Sequence, residues 1–143
     1  MAGEIILGYD GLEESRAALK AAVQVAAAFG RHLVVVFGYE PNPLGGEVRD
    51  LRHAIREIGA KFGEEATQLA HGFDASVAVE VELVDDRPAE AILRAAEEHD
   101  ALLIVVGAES RGPIAGSLLG SATYQVVHRS PRPVLVVPLP AEP

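Results

Sequence analysis

A chain of 143 residues, 49% apolar, has the length of one ordinary domain and enough apolar residues for a sizeable core. Its lack of cysteine excludes a disulfide framework, a thiol nucleophile and any thiolate metal site. Twelve basic against 21 acidic residues give a formal charge of −9, which repels nucleic acid unless a local basic patch opposes it.

The only modest basic cluster, Arg49, Arg52, His53 and Arg56, is interrupted by Asp50 and Glu57, so no nucleic-acid partner is expected. No stretch reaches the roughly 18 apolar residues of a membrane span, and the start lacks the charged-then-apolar pattern of a signal peptide. A cytoplasmic protein with no membrane association is the expectation.

Ile5–Tyr9 reads as a short apolar strand. Asp10, with Glu13 three residues on, is placed to cap the helix that follows. That helix carries Leu19, Ala22, Val23, Ala26 and Phe29 at helical spacing, and Gly30 stands where a left-handed terminal residue is wanted. Leu33–Phe37 is the second strand, and the stretch YEPNPLGG after it forbids regular structure. From Glu47 a long helix shows the stripe Val48, Leu51, Ile55, Ile58, Phe62, Ala66 and Leu69, with Gly72 at its end.

The third strand, Val77 to Val84, alternates valine and leucine with Ala78, Glu80 and Glu82, the pattern of a half-wet sheet edge. Pro88 starts a short helix to about Glu98. Leu102–Val106 is the fourth strand, Ser121 to Arg129 a helix stopped by Pro131, and Val134–Val137 the fifth strand. Strict alternation of strand and helix predicts a doubly wound α/β fold, a five-stranded parallel sheet with helices on both faces. Strands one, two and four are apolar on both faces and belong in the centre, which the order 3-2-1-4-5 satisfies. In that order the winding reverses between strands one and four, where open α/β sheets bind ligands beyond the carboxyl ends of the strands.

The stretch from Gly107 to Thr123, GAESRGPIAGSLLGSAT, joins the fourth strand to the last helix at that point. Its glycines let a ligand approach backbone N–H groups, and the helix adds four unpaired N–H groups and the positive end of its dipole. Such a loop makes either a tight turn or an anion site, most often for phosphate. The spacing Gly107, two residues, Ser110, nine residues, Gly120-Ser121 resembles the nucleotide loop of the universal stress protein family. The opening ILGYDGLEESRAAL and the closing VVHRSPRPVLVVP resemble the same family, so the likeness runs over essentially the whole chain. Ser110 departs from it, standing where the family has a second glycine, and Glu109 beside it would repel a triphosphate unless Arg111 offsets it.

The resemblance implies the same strand order and an adenine nucleotide, ATP or else AMP or cyclic AMP, in the ATP case with Mg²⁺. It implies base and ribose contacts at Tyr9, Asp10 and Gly38, and a phosphate loop drawn from Gly107, Ser110, Arg111, Gly112, Gly120, Ser121, Ala122 and Thr123. For Asp10 the capping role stands beside the ligand role. Gly38 sits where the family often has a larger apolar residue, and Tyr39 either fills that gap or covers the rim of the core. The resemblance also implies a homodimer through the fifth strand, Val134, Leu135, Val136 and Val137, an uncharged edge that invites pairing.

Other chemistry fits the residues poorly. The only lysines are Lys20 and Lys61 and no G-x-x-x-x-G-K-[ST] occurs, which excludes an ordinary P-loop phosphotransferase. Ala108 to Gly112 resembles a degenerate nucleophile elbow, yet no acid lies between Ser110 and His128 to complete a triad. A receiver domain needs a lysine after the fifth strand, where Pro138 stands. The five histidines, at positions 32, 53, 71, 99 and 128, show no metal-ligand spacing and read as surface or helix-end residues. A regulatory nucleotide-binding protein without catalytic residues is therefore expected, with a nucleotide-independent interaction dimer of the same fold as the alternative and slow ATP hydrolysis as a third reading.

Overall fold

The computed structural model describes residues 3–39, 48–108 and 119–139. Five strands form one parallel sheet: β1 (Ile5–Gly8), β2 (Leu33–Tyr39), β3 (Val79–Asp85), β4 (Leu103–Gly107) and β5 (Val134–Val137). Between them run α1 (Glu13–Phe29), α2 (Val48–Phe73), α3 (Pro88–Glu98) and α4 (Ser121–Arg129). The sheet order is β3-β2-β1-β4-β5, as the burial pattern of the strands requires.

Strand β1 is central because nothing on it tolerates water. Ile5 and Leu7 point into the core under α1 and α2, with Val35 and Val105 beside them. Ile6 points into the opposite core with Val34, Ile104 and Val126, under α3 and α4. Its partners are in register, Leu7 lying between Val35 of β2 and Val105 of β4. The reversal of winding lies between β1 and β4, as expected.

Two local expectations at the ends of α1 are corrected. Asp10 is not the N-cap of α1; that position is Leu12, which makes no side-chain cap bond. Asp10 Oδ1 instead accepts from the Leu12 N–H at 2.8 Å and from Ser15 Oγ at 2.8 Å, a turn that holds the chain just before the helix. Gly11 makes that turn with φ +80°, a backbone that a side chain would strain. Phe29, the last residue of α1, is 59% exposed rather than on the buried side. Gly30 does take the left-handed conformation and closes the helix through its N–H.

The long helix α2 meets the core with Phe62, Ala66 and Leu69 of the expected stripe, and lies on the sheet through small residues beside them. Gly59, Gly63, Ala66 and Ala70 are buried, whereas Ile58 is 51% exposed. Small residues let the helix lie close on the sheet: a Cβ at Gly63 would come within 2.7 Å of Val81 Cγ1, and one at Gly59 within 2.9 Å of Leu83 Cδ2. Phe62 fills the remaining space against Phe37, ring centroids 5.7 Å apart. Gly72 does not end α2, which runs on to Phe73. Val48 and Leu51 of the expected stripe have side chains outside the described residues.

Strand β3 is the wet edge that its alternation predicts. Val79 and Val81 pack into the core under α2, and Glu80 is exposed on the other side. The fifth strand is the opposite edge, but less bare than its four apolar residues imply. Val134 and Val136 pack into one core and Val137 into the other, which leaves Leu135 as its exposed residue.

Candidate functional site

A cavity of about 220 Å³ opens beyond the carboxyl ends of β1, β2 and β4, at the switch point. Its apolar wall is Val36 from β2, Ile92 from α3 and Val106 from β4, and its polar side carries Asp10, Glu14, Ser15 and Thr123. Three strand-end glycines shape it by what they lack. A Cβ at Gly8 would come within 2.5 Å of Ile92 Cδ1, so the bare glycine lets the α3 side chain lie over β1. A Cβ at Gly38 would meet Ala91 Cβ and Pro88 Cα at 2.9 Å, and one at Gly107 would meet the Glu14 carbonyl oxygen at 2.8 Å. The end of β2 thus touches the first turn of α3, and the end of β4 touches the first turn of α1.

Of the residues expected here, Tyr9, Asp10, Gly38, Gly107, Ala122 and Thr123 do line this cavity. Gly120 and Ser121 are not on its wall but form the N-terminus of α4 next to Ala122. Ser110, Arg111 and Gly112 lie outside the described residues. Tyr9 belongs to the wall, yet its ring is 4% exposed and packs into the core under α1 and α2. Its hydroxyl has no hydrogen-bond partner among the described residues. Burial raises the Tyr9 pKa above the ordinary phenol value, the Glu65 carboxylate adds to this, and Arg16 pulls the other way. Tyr39 is buried but stands off the cavity wall, so it does not fill the space left by Gly38.

The first turn of α4 adjoins the cavity through Ala122 and Thr123. Its N-cap is Gly120, which has no side-chain oxygen to offer, and no cap bond forms. Among the described residues, no side-chain cap bond reaches the first turn of α4, where the positive end of the helix dipole lies. Asp10 uses Oδ1 for both of its bonds, which leaves Oδ2 for a ligand hydroxyl among the described residues.

Thr123 has a structural duty that its sequence position does not reveal. Its Oγ1 donates to the carbonyl oxygen of Gly107 at 2.7 Å, tying α4 to the end of β4. Thr123→Val keeps the shape and removes the donor, so the part-buried carbonyl loses this partner. A loss of about 1–3 kcal/mol in stability is expected from urea unfolding. An unchanged midpoint would show that the bond holds nothing.

Sequence reasoning missed Gly8, Glu14, Ser15, Val36, Pro88, Ile92 and Val106 on the wall. Gly8 and Val36 stand at strand ends facing the switch point and were findable by that rule. Pro88 and Ile92 come from a helix whose approach only the folded chain shows.

The chain matches the universal stress protein family over residues 1–138. A universal stress protein of Thermus aquaticus is 39% identical over 137 residues, covering 93% of this chain and 96% of that one. A universal stress protein solved in complex with cAMP superposes with a TM-score of 0.80 at 28% identity, covering 97% of this chain and 99% of the other. Another, from Archaeoglobus fulgidus in complex with dAMP, gives a TM-score of 0.72 at 20% identity, covering 94% and 97%. At that identity the second likeness is one of fold alone.

Proposed function

The chain belongs to the universal stress protein family, and on that premise we propose that it is a regulatory protein that binds an adenine nucleotide reversibly in the cavity at the switch point. The observation that carries this reading is a cavity with one apolar wall and one polar side, ending at an uncapped helix N-terminus. Val36, Ile92 and Val106 suit the faces of a purine, which is flat and largely apolar. Asp10 suits a ribose hydroxyl, which donates to a carboxylate. Gly107 and the first turn of α4 suit the phosphates as N–H donors. The cAMP complex of a relative at 28% identity supports the ligand class.

ATP is the nucleotide that we favour. Asp10 and Glu14 put two carboxylates on the wall, and a triphosphate beside them calls for a counter-ion, which Mg²⁺ would supply. Thermal unfolding tests the reading without any label. A ligand that binds the folded state at a hundred times its dissociation constant adds about 2.7 kcal/mol of stability. Millimolar ATP, AMP or cyclic AMP should therefore raise the unfolding temperature by several degrees. No shift with any of them would leave the nucleotide-independent reading in its place.

We further propose a twofold dimer through β5. This strand is paired on one side only, to β4, and Leu135 is 39% exposed with Tyr124, Val127 and Leu139 also exposed nearby in sequence. An uncharged edge with exposed apolar residues is normally covered, and an isologous contact covers both copies at once. Leu135→Arg tests this better than a change at Val136, which packs into the core. Sedimentation should show a dimer for the wild type at micromolar concentration and a monomer for Leu135→Arg. A wild type that stays monomeric at high concentration would refute it.

A further inference from the structure

Away from the cavity, the fold gathers four titratable side chains at the far end of α3. Glu80 and Glu82 are two residues apart on β3, so both leave the sheet on the same side. His99 terminates α3, and its Nε2 meets the Glu82 carboxylate. The candidate ligand atoms of Glu80, Glu82 and His99 all lie within 4.8 Å of one another. Glu4, just before β1, brings Oε2 to 3.8 Å from the other ring nitrogen of His99. That oxygen is buried and accepts no hydrogen bond from the described residues.

An ion pair between His99 and Glu82 accounts for only part of this arrangement. Three carboxylates surround one imidazole, so even a protonated ring leaves the group net negative. A buried carboxylate oxygen without a donor is costly and asks for a reason. We propose that Glu80, Glu82 and His99 form a binding site for a first-row divalent cation of the zinc class, with Glu4 as the carboxylate that orients His99 from behind.

The donor set suits such an ion. Zinc takes imidazole nitrogen and carboxylate oxygen at about 2.0–2.2 Å, so its ligands stand roughly 3.4 Å apart in a tetrahedron. Atoms already within 4.8 Å need only small side-chain movements to reach that spacing. Calcium and magnesium prefer oxygen alone, and an imidazole shifts the preference toward zinc and its neighbours. A metal-bound histidine usually donates its second N–H to a carboxylate, which fixes the ring. Glu4 Oε2 stands beside that nitrogen and lacks a donor among the described residues. Glu80 is exposed on the open edge of the sheet, which gives the ion a way in and leaves a fourth position for water.

The site is separate from the nucleotide cavity, and its test does not depend on nucleotide binding. Calorimetry of the untagged full chain with zinc chloride alone should show one zinc per chain bound at micromolar concentration. His99→Ala should abolish it, and Glu4→Gln should weaken it roughly 10- to 100-fold. X-ray absorption of the loaded protein should find one nitrogen among oxygen ligands. Since His99→Ala removes a half-buried ring and risks loosening the end of α3, Glu80→Gln, at an exposed position, serves as the second variant. It should lose at least tenfold in zinc affinity while its unfolding temperature in chelator stays at the wild-type value. No stoichiometric zinc in the wild type, or zinc bound at full affinity by both variants, would overturn the proposal and leave an ion-pair cluster only.

Discussion

Leu7→Ala is expected to lower stability by about 2–5 kcal/mol, the range for emptying a fully buried leucine site. Leu7 lies on the central strand with no exposed surface, between Val35 and Val105, in the core that α1 and α2 cover. Strands on both sides hold that space open, so little collapse can relieve the cavity. Domains of this size are stable by about 5–15 kcal/mol, so the change removes a large share. Urea unfolding of the two proteins measures it. A loss below about 1 kcal/mol would mean that the core under α1 and α2 can repack around the missing side chain, against the close packing described.

Gly120→Val is expected to abolish nucleotide binding while leaving the fold intact. The backbone at Gly120 has φ −63° and ψ 156°, an extended conformation that valine adopts without strain. The variant therefore introduces no backbone strain, unlike a change at Gly38, where a Cβ meets the backbone of Pro88. A branched side chain at the N-cap stands over the first-turn N–H groups of α4 and keeps an anion from reaching them. A loss of a hundredfold or more, about 2.7 kcal/mol, should follow in calorimetry. Unchanged affinity with an unchanged unfolding temperature would show that the phosphates sit elsewhere.

Most of the architecture could be read from apolar patterning. Strands apolar on both faces, such as β1 and β4, have to be central, and the glutamates of β3 mark an edge. That placed the switch point, and with it the cavity. The readings that failed did so where packing departs from residue size. In α2 Phe62, Ala66 and Leu69 of the expected stripe do meet the core, but Gly59, Gly63 and Ala70, each one position from a larger stripe residue, are buried too, while Ile58 is exposed. A helix lying close on a sheet needs small residues there, and periodicity scores cannot see the distance. Asp10 reads as a cap from its spacing to Glu13, but Gly11 turns the chain and moves the cap to Leu12.

The site was legible in part for the same reason. Asp10 and Gly107, at strand ends, follow from topology once the strand order is known, whereas Tyr9 and Gly38 come from the family resemblance. The wall that α3 supplies follows from neither, because Pro88 and Ile92 reach the cavity only through the contact of α3 with β2 at Gly38. Likewise Glu4, Glu80, Glu82 and His99 show no ligand spacing along the chain. The first residue before β1, the wet face of β3 and the end of α3 meet only in the folded sheet.

Isothermal calorimetry of the wild-type chain with ATP and Mg²⁺, and in parallel with AMP and cyclic AMP, tests the nucleotide reading most directly. Binding of one adenine nucleotide per chain at micromolar affinity, about −8 kcal/mol, is the predicted result. Absence of heat with all three at millimolar concentration, confirmed by equilibrium dialysis, would contradict it.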